Sequence, residues 1–225
     1  MIDDPEQDET EERGQPEGLD PLDAAPFSAD EKLPGSEEIF ETYFASWLAA
    51  EDLHRHDEEG MRPDVEDGLT SGLPARELSP LTDKGRTIID EQIRGMVAAA
   101  AEDWQGLLST AGDPSLEWID AFDRRFGRAE VADIIADADP ADDSSDLVVL
   151  ACELGAVLGE VLRREAPGLE WLHDSPAWTS ALYDPRQGRR FNVFHWGIRK
   201  FSEDGVDDPL RSKVLRCVGL VRYGA

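Results

Sequence analysis

The chain is poor in lysine, in cysteine and in catalytic signatures, and each scarcity narrows its class. Four of its 22 basic residues are lysine, a bias that fits solubility, salt adaptation or a GC-rich genome. The 2 cysteines, Cys152 and Cys217, both fall inside apolar helical patterns. The N-terminus is acidic rather than basic and then apolar, so no secretory signal is read there. The pair therefore reads as reduced core thiols in a cytoplasmic, bacterial protein, with a bridge between two packed helices as the alternative. Residues 147–162 are apolar except for Glu153 and Glu160, too short and too polar for a membrane span. No membrane partner is expected. G-x-S-x-G, the P-loop, G-x-G-x-x-G, H-E-x-x-H and paired C-x-x-C are all missing. That removes every specific reason to propose an enzyme, without excluding one, and no cofactor is implied.

Acid is what the chain has in excess. Its formal net charge is −28 over 225 residues. Residues 1–185 carry 46 acidic and 13 basic side chains, whereas residues 186–225 carry 4 and 9. Residues 1–35 are rich in Asp, Glu, Pro and Gly without apolar periodicity, and read as a disordered acidic tail. The remaining 36–225 are long enough for one domain with a sizeable core. Long-range phosphate repulsion makes free nucleic acid an unfavourable partner for the whole molecule.

Helical patterns dominate the first two thirds. Ser36 is a candidate N-cap for a helix reaching about residue 57, with Ile39, Phe40, Tyr43, Phe44, Trp47 and Leu48 on one face. Residues 58–82 lack a period and read as a long loop or linker. A second amphipathic helix is predicted over 83–108, with Ile89, Ile93, Met96, Val97, Ala100, Trp104, Leu107 and Leu108 on its stripe. A third starts at Asp113 and Pro114 and stops at Gly127, and a shorter one follows, closed by Pro140. The segment capped by Ser144 or Ser145 is apolar nearly all round, which predicts the buried central helix. After it come short aromatic and branched runs, with "DPRQG" as a hairpin connection. A terminal helix is expected with Asp208 as cap, Pro209 first, and Leu210, Val214, Cys217, Val218 and Val221 buried. The fold class is α+β, mostly helical, with a small antiparallel sheet of about three strands near the C-terminus.

Three features carry functional readings. Glu153 and Glu160 lie two turns apart on one side of the central helix, a candidate carboxylate pair for acid–base or metal-assisted chemistry. The competing reading puts them on a narrow solvent edge, with Glu160 paired to Arg163 or Arg164. Gly155 and Gly159 read as points of close approach for a neighbouring element. His54 and His56 are two apart, so on a helix they point about 200° apart and cannot grip one ion. The Asp-rich run at 137–146 lacks the spacing of a calcium loop, so no metal site is assigned.

The third feature is "DPRQGRRFNVFHWGIRKF", residues 184–201, with six basic side chains including His195 and four aromatics. Read as a strand over 190–196, it puts Phe191, Val193 and His195 on one face and Asn192, Phe194 and Trp196 on the other. A short helix is expected from Gly197 onward. Arg186, Arg189, Arg190, Phe194, Trp196, Arg199, Lys200 and Arg211 are the candidate contact residues, with Lys213, Arg216 and Arg222 adding charge on the exposed side of the terminal helix. Single-stranded nucleic acid is one ligand for such a surface. The better match is an acidic protein partner or the chain's own tail, with 15 acidic and 2 basic residues through Glu41.

The run "LGAVLGEVLRR", the Gly-Trp-containing "GLEW", the hairpin and the terminal helix together resemble uncharacterised bacterial α+β domains over residues 147–221. The resemblance implies fold and transfers no catalytic residue. The expected function is a non-enzymatic protein–protein interaction factor (an inhibitor, immunity or accessory protein). Its alternatives are an enzyme using Glu153 and Glu160, and an acidic mimic of nucleic acid.

Overall fold

The computed structural model describes residues 32–47, 81–108 and 113–224. Residues 1–31, His54, His56 and most of the expected linker lie outside the described residues. Helix α1 spans Ser36–Tyr43, followed by a 3-10 turn at Ala45–Trp47. Then come α2 (Asp83–Leu108), α3 (Leu116–Arg125), α4 (Arg128–Asp137) and α5 (Asp146–Glu165). Strands β1 (Glu170–Leu172), β2 (Ala181–Asp184) and β3 (Arg189–Phe191) precede α6 (Val193–Lys200) and α7 (Leu210–Tyr223). The molecule is α+β, mostly helical, with one three-stranded antiparallel sheet in the order β1-β2-β3.

The centre is α5, as its apolar sequence predicts. Its residues 151–159 are all buried, including Glu153. Helix α6 and strand β1 converge on it at glycine. A Cβ on Gly155 would lie 2.5 Å from the Phe194 ring, and one on Gly159 would strike the Trp171 ring. From the other side, a Cβ on Gly197 would collide with the Ala151 carbonyl. The close approaches expected at Gly155 and Gly159 are thus to α6 and β1, and the α5–α6 crossing is nearly backbone on backbone. Removing side chains there lets the surrounding aromatics close over the joint at interior packing density.

The expected strand over 190–196 is corrected. Pairing ends at Phe191, Asn192 turns out of the sheet, and 193–200 is helix. Val193, Phe194, His195, Trp196, Gly197 and Ile198 are all buried, so no exposed position marks the helical period that would have separated helix from strand. The aromatics expected on two strand faces instead surround a buried helix. Phe194 packs 5.9 Å from Trp171, ring to ring.

Helix caps are supplied from far along the chain. Ser36, expected as an N-cap, sits inside α1, and its backbone N–H and hydroxyl donate to Asp204 at 2.8 and 2.9 Å. Asp208 does not cap α7; the N–H of Leu210 donates to Asp123 on α3 at 2.9 Å. A carboxylate at each helix N-terminus satisfies orphan N–H groups and meets the positive end of the dipole. Likewise α3 begins at Leu116 behind Ser115, not at Pro114, and Gly127 precedes α4. Leu33, at the end of the expected tail, is 4 % exposed and donates its N–H to Glu203. Cys152 and Cys217 are both buried, and no disulfide joins them. No helix among the described residues is long and apolar enough to cross a membrane.

Candidate interaction surface

Several cations of the C-terminal segment are engaged by carboxylates and carbonyls of the fold. Lys200 is 3 % exposed, pairs with Asp123 at 2.9 Å and donates to the Val206 carbonyl at 2.7 Å. Arg199 donates to the Asp204 carbonyl at 3.0 and 2.7 Å and lies 3.6 Å from Asp208. Arg211 pairs with Asp120. Arg186 contacts Asp184 and the Val221 carbonyl, and neighbouring Gln187 donates to the Leu220 and Val221 carbonyls at 3.0 Å each. The hairpin turn therefore closes the C-terminus of α7, where unsatisfied carbonyls carry negative partial charge. Arg222 donates in turn to the Glu165 carbonyl at the end of α5. Basic groups distant from the acids in sequence meet them in space.

This arrangement redraws the expected surface. Phe194 and Trp196 are each 1 % exposed and belong to the core. Lys200 is a buried ion-pair partner. Arg189 and Arg190 are half-buried on β3, in register with Asp184 and Tyr183. Lys213, expected on the exposed side of α7, is mostly covered and lies 5.7 Å above the Trp196 ring. Desolvation lowers its pKa, with Asp208 acting in the opposite sense. Arg186 and Arg211 remain solvent-accessible.

The outer face of α7 is the surface that contact with the core leaves open. Arg211, Ser212, Leu215, Arg216, Arg222 and Tyr223 are exposed. Leu215 is 45 % and Tyr223 80 % exposed. They stand eight apart with Gly219 midway, and a Cβ on Gly219 would meet nothing within 4 Å. At helical spacing these three form one line, a shallow apolar notch over Gly219 between two large side chains. Arg211 and Arg222 run along one flank and Arg216 along the other. Helix α7 carries four cations and no acid. The i, i+4, i+8 spacing of Leu215, Gly219 and Tyr223 was present in sequence, but a glycine between apolar residues gives no signal of which side faces solvent.

The two candidate catalytic carboxylates are not brought together. Glu153 is 4 % exposed and accepts a 2.7 Å hydrogen bond from the Trp104 indole of α2. It does not lie on a solvent edge. Burial pushes its carboxyl up to about 7, against the Trp104 bond, with the Asp103 charge adding to the rise. Glu160 accepts from the Trp171 indole at 3.1 Å and from Arg163 at 2.8 Å, the expected ion pair. Seven residues of helix separate the two by about 10 Å along the axis, and each serves a different tryptophan. His195 is buried beside Arg190, and desolvation followed by that charge lowers its pKa to about 4. Its ring packs against Phe40 of α1 at 6.4 Å. Among the described residues, no group of three or more His, Cys, Asp or Glu is placed to hold a metal ion.

Fold and surface together define a small α+β domain with one basic, apolar-centred helix turned outward. No protein-family model matches the chain, and neither the curated proteins nor the solved structures yield a match.

Proposed function

We propose that this protein is a non-enzymatic interaction factor that engages an acidic protein surface through the outer face of α7. The observation that supports this reading is the line Leu215, Gly219, Tyr223 between arginines, on a helix with four cations and no acid. Apolar contact at the centre supplies affinity, and guanidinium groups at the rim select an acidic partner and steer its approach. Arg211 and Arg222 each use part of a five-donor fork inside the fold and keep other N–H groups for a ligand. The contact set moves from the hairpin and its following segment to α7. The reading as an enzyme finds less support, because Glu153 and Glu160 are about 10 Å apart and occupied by indoles.

The test is affinity capture of the tagged full chain from its native cells, with Leu215→Glu/Arg216→Glu as the control. A partner enriched by the wild type should be lost with the double variant and released by moderate salt. A partner retained undiminished by the variant would move the contact surface elsewhere.

A further inference from the structure

We infer that residues 16–31 of this same chain dock on the outer face of α7 and compete there with the external partner. The inference rests on the interaction reading above and supplies its regulation. Residues 16–31 read "PEGLDPLDAAPFSADE". Leu19, Leu22 and Phe27 are interleaved with Glu17, Asp20, Asp23, Asp30 and Glu31, and the segment has no cation. That is the complement of α7, where an apolar line runs between arginines. The open space above Gly219 accepts a side chain of the size of Leu or Phe, held between Leu215 and Tyr223.

The point of entry favours this occupant over an external one. Leu33 donates its N–H to Glu203 at 3.0 Å, and Glu203 donates its own to the Pro34 carbonyl at 2.9 Å. Ser36 is fastened to Asp204. Arg128 grips Glu203 at 2.6 Å and Asp207 at 2.8 Å, and holds the Glu203 carboxyl below its usual range. The segment therefore departs from the loop that leads into α7. Asp204 stands six residues before Leu210, at most about 20 Å away. Five extended residues carry Phe27 about 17 Å from Lys32, and thirteen carry Leu19 about 45 Å. Helix α7, with 14 residues, is about 21 Å long, so the whole face lies within reach. A tether this short gives an effective concentration on the order of millimolar, enough to populate a weak contact. Because several charges are involved, the contact weakens with salt.

The experiment uses the full chain carrying Ser28→Cys and a nitroxide on the new thiol. Cys152 and Cys217 are buried, and burial pushes the Cys152 thiol up to about 12, so the label goes to the introduced site. The expected result is loss of the amide NMR signals of α7 around Leu215, Gly219 and Tyr223 at low salt. The signals should return at about 0.5 M salt, where the screening length is only a few ångströms, and in a Leu215→Glu background. Unchanged α7 signals would overturn the inference. So would broadening seen only when the nitroxide sits on a second, isotopically unlabelled copy, which would make the occupant another molecule. If broadening is absent while Leu215→Glu still abolishes partner capture, self-docking falls and the interaction reading stands. If capture is also unaffected, both fall.

Discussion

Replacing Glu153 by Gln should change the shape of the stability–pH curve more than its height. In the fold this carboxyl titrates at about 7, against 4.5 in an unfolded chain. Between those values the folded state holds the extra proton, so the contribution to stability is full below 4.5 and is lost as pH rises through 7. At 1.36 kcal/mol per pH unit of displacement, Glu153 alone lowers stability by about 2–3 kcal/mol between about pH 5 and 8. His195 does the reverse. Its folded value of about 4 lies below the unfolded 6.5, so the unfolded chain holds the extra proton and stability rises by about 2 kcal/mol over the same interval. The two slopes nearly cancel, and these two groups leave the wild type almost flat. Glu153→Gln unmasks the histidine, and the variant should gain about 2 kcal/mol from about pH 5 to 8; His195→Gln should lose about 2–3 kcal/mol. Urea unfolding followed by tryptophan fluorescence at fixed ionic strength measures both. Superimposable pH profiles for Glu153→Gln and the wild type would refute the assignment of a neutral-range carboxyl to the α2–α5 contact.

Three further expectations come from the packing and the helix caps. Gly155→Ala places a methyl 2.5 Å from the Phe194 ring and 2.7 Å from its Cα, so α5 and α6 must part at a cost of about 3 kcal/mol. Gly219→Ala meets nothing and should raise stability by up to about 1 kcal/mol through helix propensity alone; chemical denaturation of the two variants reads the opposite signs. Asp204→Ala removes the acceptor at the start of α1 and should cost about 1–2 kcal/mol. Hydrogen exchange in that variant should speed up first in α1.

Much of the architecture was legible because burial was one-sided. The stripe over 83–108 predicts α2 with its boundaries, and the run over 147–162, apolar but for Glu153 and Glu160, predicts α5 as the centre. The buried face of α7 was read residue by residue. What escaped were features that local sequence does not encode. Residues 193–198 are buried on every side, so their period is silent, and the crossing of Gly197 over Ala151 decides the helix. Ser36 and Asp208 are sound local caps, yet Asp204 and Asp123, brought in by the fold, hold those helix ends. The charge segregation read along the chain is partly offset in three dimensions, since Lys200 meets Asp123 and Arg211 meets Asp120. A linear tally of charge sees the cations and not their partners, which is why the basic hairpin looked like the contact surface.

If the buried cations hold the fold and the outer face of α7 binds, thermal unfolding and partner capture measured side by side should separate Lys200→Met from Leu215→Glu. Lys200→Met breaks a buried pair and should cost about 3 kcal/mol while leaving capture intact at a temperature where the variant is folded. Leu215→Glu should leave the midpoint within about 1 °C of wild type, as expected for an exposed site, and abolish capture. Capture lost with Lys200→Met in the folded variant and kept with Leu215→Glu would contradict the account.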